Sequence, residues 1–214
     1  MPDKKRKPRV FRSGDERRGE VIEAAFHCLQ ESGYAKLSAR RIADRAGISL
    51  GQLTYYFKDM REVLVETYRH ASLQLFEATQ QGLSDAPKSP TEQLHVFLET
   101  GFTRDFLRRD YLRVRIDLWS AALTHEEIAA VERELYERYR LHLKTMIEAV
   151  AGDREVPAAS IAMLVDTIMA TLDGLWLDWE RRGSEAAVRN GLDASMLLVE
   201  YVMSRTSPPQ QYKP

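Results

Sequence analysis

Between Leu37 and Phe57 the chain has room for two short helices and a tight corner, and for little else. Ser38 offers an oxygen to the free N–H groups of a helix predicted over Ala39 to Ala46, and Ser49 does the same for one over Leu50 to Phe57. Gly47 falls between them, where the reversal needs a residue that tolerates the left-handed region. Ala43 is small enough for the two helices to cross closely. Ile42, Ile48, Leu53 and Phe57 share the inward side, against a preceding helix. Ser49, Leu50, Gln52, Thr54 and Tyr55 are left on the outer side of the second helix. A helix of this size fits the major groove of duplex DNA, its early residues meeting base edges. Gln52 can pair bidentately with adenine; Thr54 can donate, accept, or touch a thymine methyl. Ser38, at a helix N-terminus, and Arg40, Arg41, Tyr56 and Lys58 are candidate phosphate ligands, which position a protein without reading sequence. The plain alternative is a helical hairpin whose arginines are merely solvated.

The rest of the chain repeats helical spacing, with no convincing strand alternation, so the fold class is all-α with about nine helices. A first helix is predicted from Glu16 to Glu31, with Val21, Ala24, Ala25, Cys28 and Leu29 on one face and Gly33 as its stop. A fourth runs from Arg61 to Gln81 and is closed by Gly82. The Pro/Ser/Asp-rich stretch Ser84 to Pro90 reads as a loop. Further helices follow over Thr91–Leu107, Asp110–Ala122, Glu126–Val150, Ala158–Arg182 and Asp193–Ser204. This divides the chain into a disordered basic arm (1–14), a three-helix reading head (15–60), a larger helical body (61–206) and a flexible tail (207–214).

Charge separates along the same line. Residues 1–60 hold 13 Lys/Arg against 8 Asp/Glu, whereas residues 61–214 hold 18 against 24. A basic front on an acidic remainder suits a front end that meets a polyanion. The arm, Lys4-Lys-Arg-Lys7 in particular, reads either as a segment that follows phosphates or enters a minor groove, or as a solubilising tail. The basic start is followed by no apolar run of the kind a secretory signal needs, and no uncharged apolar run approaches the length of a membrane span. With Cys28 the single cysteine, no internal disulfide is possible, and a reducing cytoplasm fits. The five histidines have no metal-ligand spacing. No nucleophile elbow, phosphate-binding glycine loop or Cys-x-x-Cys occurs, so neither catalytic residues nor cofactors are expected.

The helix from Ala158 is apolar nearly all round. Ile161, Leu164, Val165, Ile168, Leu172 and Leu175 lie on one side, and Met163, Met169, Ala170 and Trp176 on another. Such a helix is buried twice, once by its own fold and once by a partner, most economically a twofold mate. Phe102, Tyr111, Asp117, Trp119, Asp173 and Trp176 are candidates for a small-molecule pocket. Asp173 and Trp176 are neighbours on one helical face, and aromatic faces beside a carboxylate suit a cation. Against this, tryptophans at helical spacing are usually core, and Asp117 has Arg113 as a simple ion-pair partner.

The run from Gly47-Ile-Ser-Leu-Gly51 through Tyr56-Phe57 to Leu64, after Ile42-Ala43-Asp-Arg-Ala46, resembles the signature of the tetracycline-repressor (TetR) family, as do Ala24-Ala25 and Gly33-Tyr34. The resemblance covers residues 17–70. It implies a homodimer on a palindromic operator, three DNA-binding helices, and a larger helical region that holds a small effector whose binding releases the DNA. It also implies that the last two long helices pair, which makes Met163, Ala170, Leu177, Met196, Val199 and Met203 candidate interface residues. Met60 stands where the family usually has a phosphate-holding lysine, a role left to Lys58 or Arg61, or lost. Thr54, with Tyr56-Phe57-Lys58-Asp59 after it and Leu172-Asp-Gly-Leu-Trp-Leu177 further on, resembles the choline-responsive BetI-like branch. The expected function is a DNA-binding transcriptional repressor. Two alternatives are a helical protein-interaction module that does not bind duplex DNA, and an enzyme with its site among the later helices.

Overall fold

The structure, a computed structural model, describes residues 14–85 and 89–205. The predicted tail, and the predicted arm apart from Gly14, lie outside them. The order is α1 (Gly14–Ser32), a short 3-10 turn (Tyr34–Lys36), α2 (Ala39–Ala46), α3 (Leu50–Tyr56), α4 (Met60–Asp85), α5 (Pro90–Thr100), α6 (Arg109–Ala122), α7 (Glu126–Ala151), α8 (Ala158–Arg182) and α9 (Glu185–Ser204). No strand occurs among the described residues.

Three patches of apolar burial hold these helices together. In the first, Val21, Ala24, Ala25 and Cys28 of α1 meet Ile42 and Ala43 of α2, Leu53 of α3, Phe57, and Val63 of α4. In the second, Phe26 and Leu29 from the other side of α1 meet Tyr68, Ala71 and Leu75 of α4 and Tyr111, Val114 and Leu118 of α6. The third joins α5, α7, α8 and α9 through Phe97, Leu143, Ile147, Leu164, Ile168 and Val199. Phe102, Leu107 and Trp179 touch both of the last two, so the body is continuous. By length and composition alone α8 could cross a membrane. Here one face of it, with Ile161, Leu164 and Ile168, is core.

Four expectations change. Gly82 does not end α4, which runs on to Asp85. A Cβ there would lie 3.2 Å from Val96 Cγ1 of α5, so the glycine marks a close helix crossing rather than a stop. Gly191 is a second such crossing: α9 begins at Glu185, behind the Ser184 cap, eight positions before the predicted Asp193, and passes Leu175 of α8 at this residue. α5 stops at Thr100 instead of Leu107, and the carbonyl of Gly101, just past its end, accepts the Trp176 indole N–H at 2.9 Å. Finally, Met196, Val199 and Met203, predicted to face a second subunit, point into this chain's own core. They share the inner face of α9. The outer face of α8 and α9 carries Met163, Ala170, Leu197 and Tyr201, with Leu177 half-buried.

Candidate nucleic-acid interface and ligand cavity

The corner between α2 and α3 is built by local hydrogen bonds. Gly47 takes φ 66° and ψ 33°, and its N–H reaches the carbonyls of Ala43 and Asp44. Ile48 N–H donates to Ala43 at 3.0 Å, which closes the end of α2. Ser38 accepts from Arg41 N–H at 3.3 Å. Ser49 accepts from Gln52 N–H at 3.2 Å, and Gln52 Oε1 accepts from Ser49 N–H at 3.0 Å, a reciprocal capping box. With Leu53 and Phe57 buried, the outer side of α3 presents Leu50, Gln52, Thr54 and Tyr55. Tyr55 is 83% exposed, with its ring edge-on to Tyr56. Thr54 donates to the Gly51 carbonyl at 3.0 Å. Ser38, Arg40, Arg41, Ser49 and Lys58 are exposed on the same part of the molecule, and Tyr56 is half-buried.

Arg18 holds the far end of α3. From α1 its guanidinium lies 4.3 Å from the centre of the Phe57 ring, donates to the Tyr56 carbonyl, and reaches Glu62 at 2.9 Å. Glu62 in turn accepts the Lys58 N–H at 2.7 Å. That bond first, and Arg18 second, hold the Glu62 carboxyl below the usual carboxylate range. Met60 opens α4 and packs half-buried on the three-helix core instead of reaching outward. Lys58 and Arg61 are the exposed cations beside it, and Arg61 pairs with Glu127 of α7 at 3.2 Å.

A cavity opens among α4, α6, α7 and α8, with about 800 Å³ of empty space including its mouth. Of the six residues predicted to line a pocket, it holds Phe102, Trp119, Asp173 and Trp176. Phe102 and Trp119 lie against Trp176 with centroids 5.7 and 6.2 Å away. Tyr111 and Asp117 are elsewhere: Asp117 lies on the opposite side of α6 from Arg115, and Tyr111, one turn before Arg115, is spent on α4. Tyr111 is buried toward α4 and donates to the Ala71 carbonyl at 3.2 Å. Asp117 accepts the Tyr34 N–H at 2.7 Å, across the seam with the head.

The sequence reading missed Arg115, Glu132, Tyr68 and Ser72, which also line the cavity. Arg115 and Trp119 are four residues apart on α6, the one signal that joined them. The Arg115 guanidinium lies 5.2 to 5.8 Å from the ring centres of Trp176, Trp119 and Tyr68. Its Nη1 donates to Ser72 at 3.1 Å. Burial first, and Glu132 second, push the Asp173 carboxyl up to about 6 against the pull of Arg115. Burial also pushes the Tyr68 and Tyr139 hydroxyls up to about 12.

The faces of α6 turned away from the cavity meet the head. Gln30 donates to Asp110 at 3.3 Å, Arg113 donates to the Gln30 carbonyl at 3.4 Å, and Asp117 takes Tyr34. One helix therefore touches both the reading head and the cavity.

Comparison with known proteins agrees with this architecture. Residues 21–67 match the family described as bacterial regulatory proteins, tetR family, and residues 90–195 match the BetI-type transcriptional repressor, C-terminal family. The HTH-type transcriptional regulator BetI of Stenotrophomonas maltophilia (strain R551-3) is 28% identical over 161 residues, covering 75% of this chain and 80% of that one. A solved chain from Pseudomonas aeruginosa PAO1, assigned as a transcriptional regulator, superposes with a TM-score of 0.79 at 23% identity, covering 91% of this chain and 93% of that one. A Saccharomonospora viridis protein solved in complex with choline gives 0.73 at 19% identity, covering 90% and 98%. The chain belongs to the tetR family of bacterial transcriptional regulators, with a C-terminal region of the BetI repressor type.

Proposed function

We propose that the protein binds a palindromic operator as a homodimer through α3, and leaves it when an ammonium-bearing small molecule enters the cavity. The observation that carries the reading is the outer side of α3. Leu50, Gln52, Thr54 and Tyr55 stand exposed on a helix whose caps and inner contacts hold it rigid. Gln52, Thr54 and Tyr55 meet bases, and Ser38, Arg40, Arg41, Tyr56 and Lys58 meet phosphates. The outer face of α8 and α9, with Met163 and Tyr201 about half exposed and Leu197 more so, is the surface on which a second copy sits. Such pairing supplies the two heads that a symmetric site requires.

The effector reading rests on the aromatic walls and on Asp173. It is supported by the similarity to the protein solved with choline. α6 carries the signal, because it holds Trp119 in the cavity and Asp117 on the seam. Fluorescence anisotropy with DNA from upstream of the protein's own gene tests the first step. The expected result is specific binding whose affinity falls steeply with salt, and its reversal by an effector. Equal affinity for scrambled duplex, or a single protomer in sedimentation equilibrium at the binding concentrations, overturns the reading.

A further inference from the structure

The charge that an ammonium ligand would bring to the cavity is already there. Arg115 presents its guanidinium to Trp176, Trp119 and Tyr68, the ring faces a cation would seek. A ligand that is only a cation must displace this side chain or sit beside a like charge in a poorly solvated space. Arg115 also has donor capacity to spare. Of its hydrogen-bonding edge, Nη1 is used on Ser72, while Nε is sealed from solvent without a hydrogen-bond partner. What a ligand in the cavity can meet is the Nη side of the guanidinium, where one terminal nitrogen is left without a hydrogen bond. Asp173 and Glu132 line the same cavity and attract Arg115 through space, but neither supplies a hydrogen bond to it.

We propose that Arg115 is an oxyanion-binding residue of this cavity, and that the effector is a zwitterion carrying a carboxylate as well as an ammonium group. This rests on the effector reading above and deepens it. The carboxylate docks on the Nη side of the guanidinium, the charge-assisted match for which arginine is suited. The ammonium group lies toward Asp173 and Glu132, with Phe102 and Trp119 as its apolar walls. A zwitterion offers an opposite charge to each sign that the cavity presents, Arg115 on one side and the two acids on the other.

Three probes of nearly equal shape separate the possibilities: glycine betaine, which carries both groups; choline, which keeps the ammonium only; and the anion of tert-butylacetic acid, which keeps the carboxylate only. Each is titrated into the full-length wild-type protein and followed by tryptophan fluorescence and calorimetry. Glycine betaine is expected to bind at least about tenfold more tightly than either of the others. The preference over choline should vanish in Arg115→Met and shrink in Arg115→Lys, which keeps the charge without the planar fork. The wild-type comparison stands even if a variant fails to fold. Choline binding as tightly as glycine betaine overturns this inference while leaving the ammonium effector standing. The carboxylate-only probe binding as tightly overturns the zwitterion and the ammonium reading together. If no probe binds at millimolar concentration, the cavity is not this effector site, and both readings fall.

Discussion

Asp117 of α6 accepts the backbone N–H of Tyr34 at 2.7 Å, a bond between residues 83 positions apart that ties the corner after α1 to the helix lining the cavity. Asp117→Ala leaves that N–H to water. The expected cost is about 1 kcal/mol, seen as a lower urea midpoint. DNA affinity without effector should hardly move, because α3 is untouched. Release by effector should be blunted, and full release in the variant would show that the signal takes another route.

Gln52 serves two masters. In the free protein its Oε1 accepts from Ser49 N–H, so reading adenine bidentately requires that capping bond to open. Gln52→Ala should therefore cost about 1 kcal/mol or less in stability, and should relax discrimination at one base position by roughly 1–3 kcal/mol. The salt dependence of binding should stay as it was. Arg40→Ala should do the reverse, weakening all sequences alike and lowering the salt slope by about one. Anisotropy at several salt concentrations, on matched and mismatched duplexes, distinguishes the two.

Two glycines should respond in opposite directions to the same change. A Cβ at Gly191 would come within 2.5 Å of Leu175 Cδ2, where α8 and α9 cross, whereas Gly19 has open space around it in α1. Gly191→Ala is expected to destabilise by about 1–3 kcal/mol through overpacking. Gly19→Ala should stabilise by roughly 0.5–1 kcal/mol through the lost freedom of the unfolded chain. Denaturant midpoints of the two variants check this directly, and equal shifts would contradict it.

These glycines also show where the sequence stopped being legible. The bounds of α2 follow from residues within one turn of it, Ser38 and Gly47, and the expected and observed limits coincide. α8 behaves likewise, set off by Pro157 and Gly183. Gly82 and Gly191 look the same in one dimension as Gly47, yet they stand inside helices, because what fixes them is the neighbouring helix and not the local chain. The cavity divides in the same way. Trp176 and Asp173 were found from spacing on one helix, but Ser72 and Glu132 come from α4 and α7, and only packing brings them to Arg115. Arg18 was missed for a similar reason: nothing near it in sequence announces Tyr56 and Glu62.

The raised Asp173 carboxyl makes stability depend on pH. Its value of about 6 lies above the unfolded 3.8, so the folded state binds the proton more tightly. The stabilisation from holding that proton is complete below about pH 4 and is lost as pH rises through about 6. Asp173→Asn removes the burden of the ionised form. At neutral pH it should be the more stable by on the order of 1–2 kcal/mol, discounted for the partly solvated site, and the advantage should disappear in acid. Thermal melts across this range test the sign. An ammonium ligand should bind wild type less well as pH falls through the same window.

α4 places Val63 in the core shared with α1, α2 and α3, and Tyr68 and Leu75 in the core shared with α6, without a break between them. Anyone transplanting the reading head onto another regulator must therefore cut through a continuous rod. Each residue gained or lost at the splice turns the transplant by about 100° and shifts it by about 1.5 Å. Working chimeras should cluster at junctions that keep the helical phase of this segment, whatever linkers are tried elsewhere.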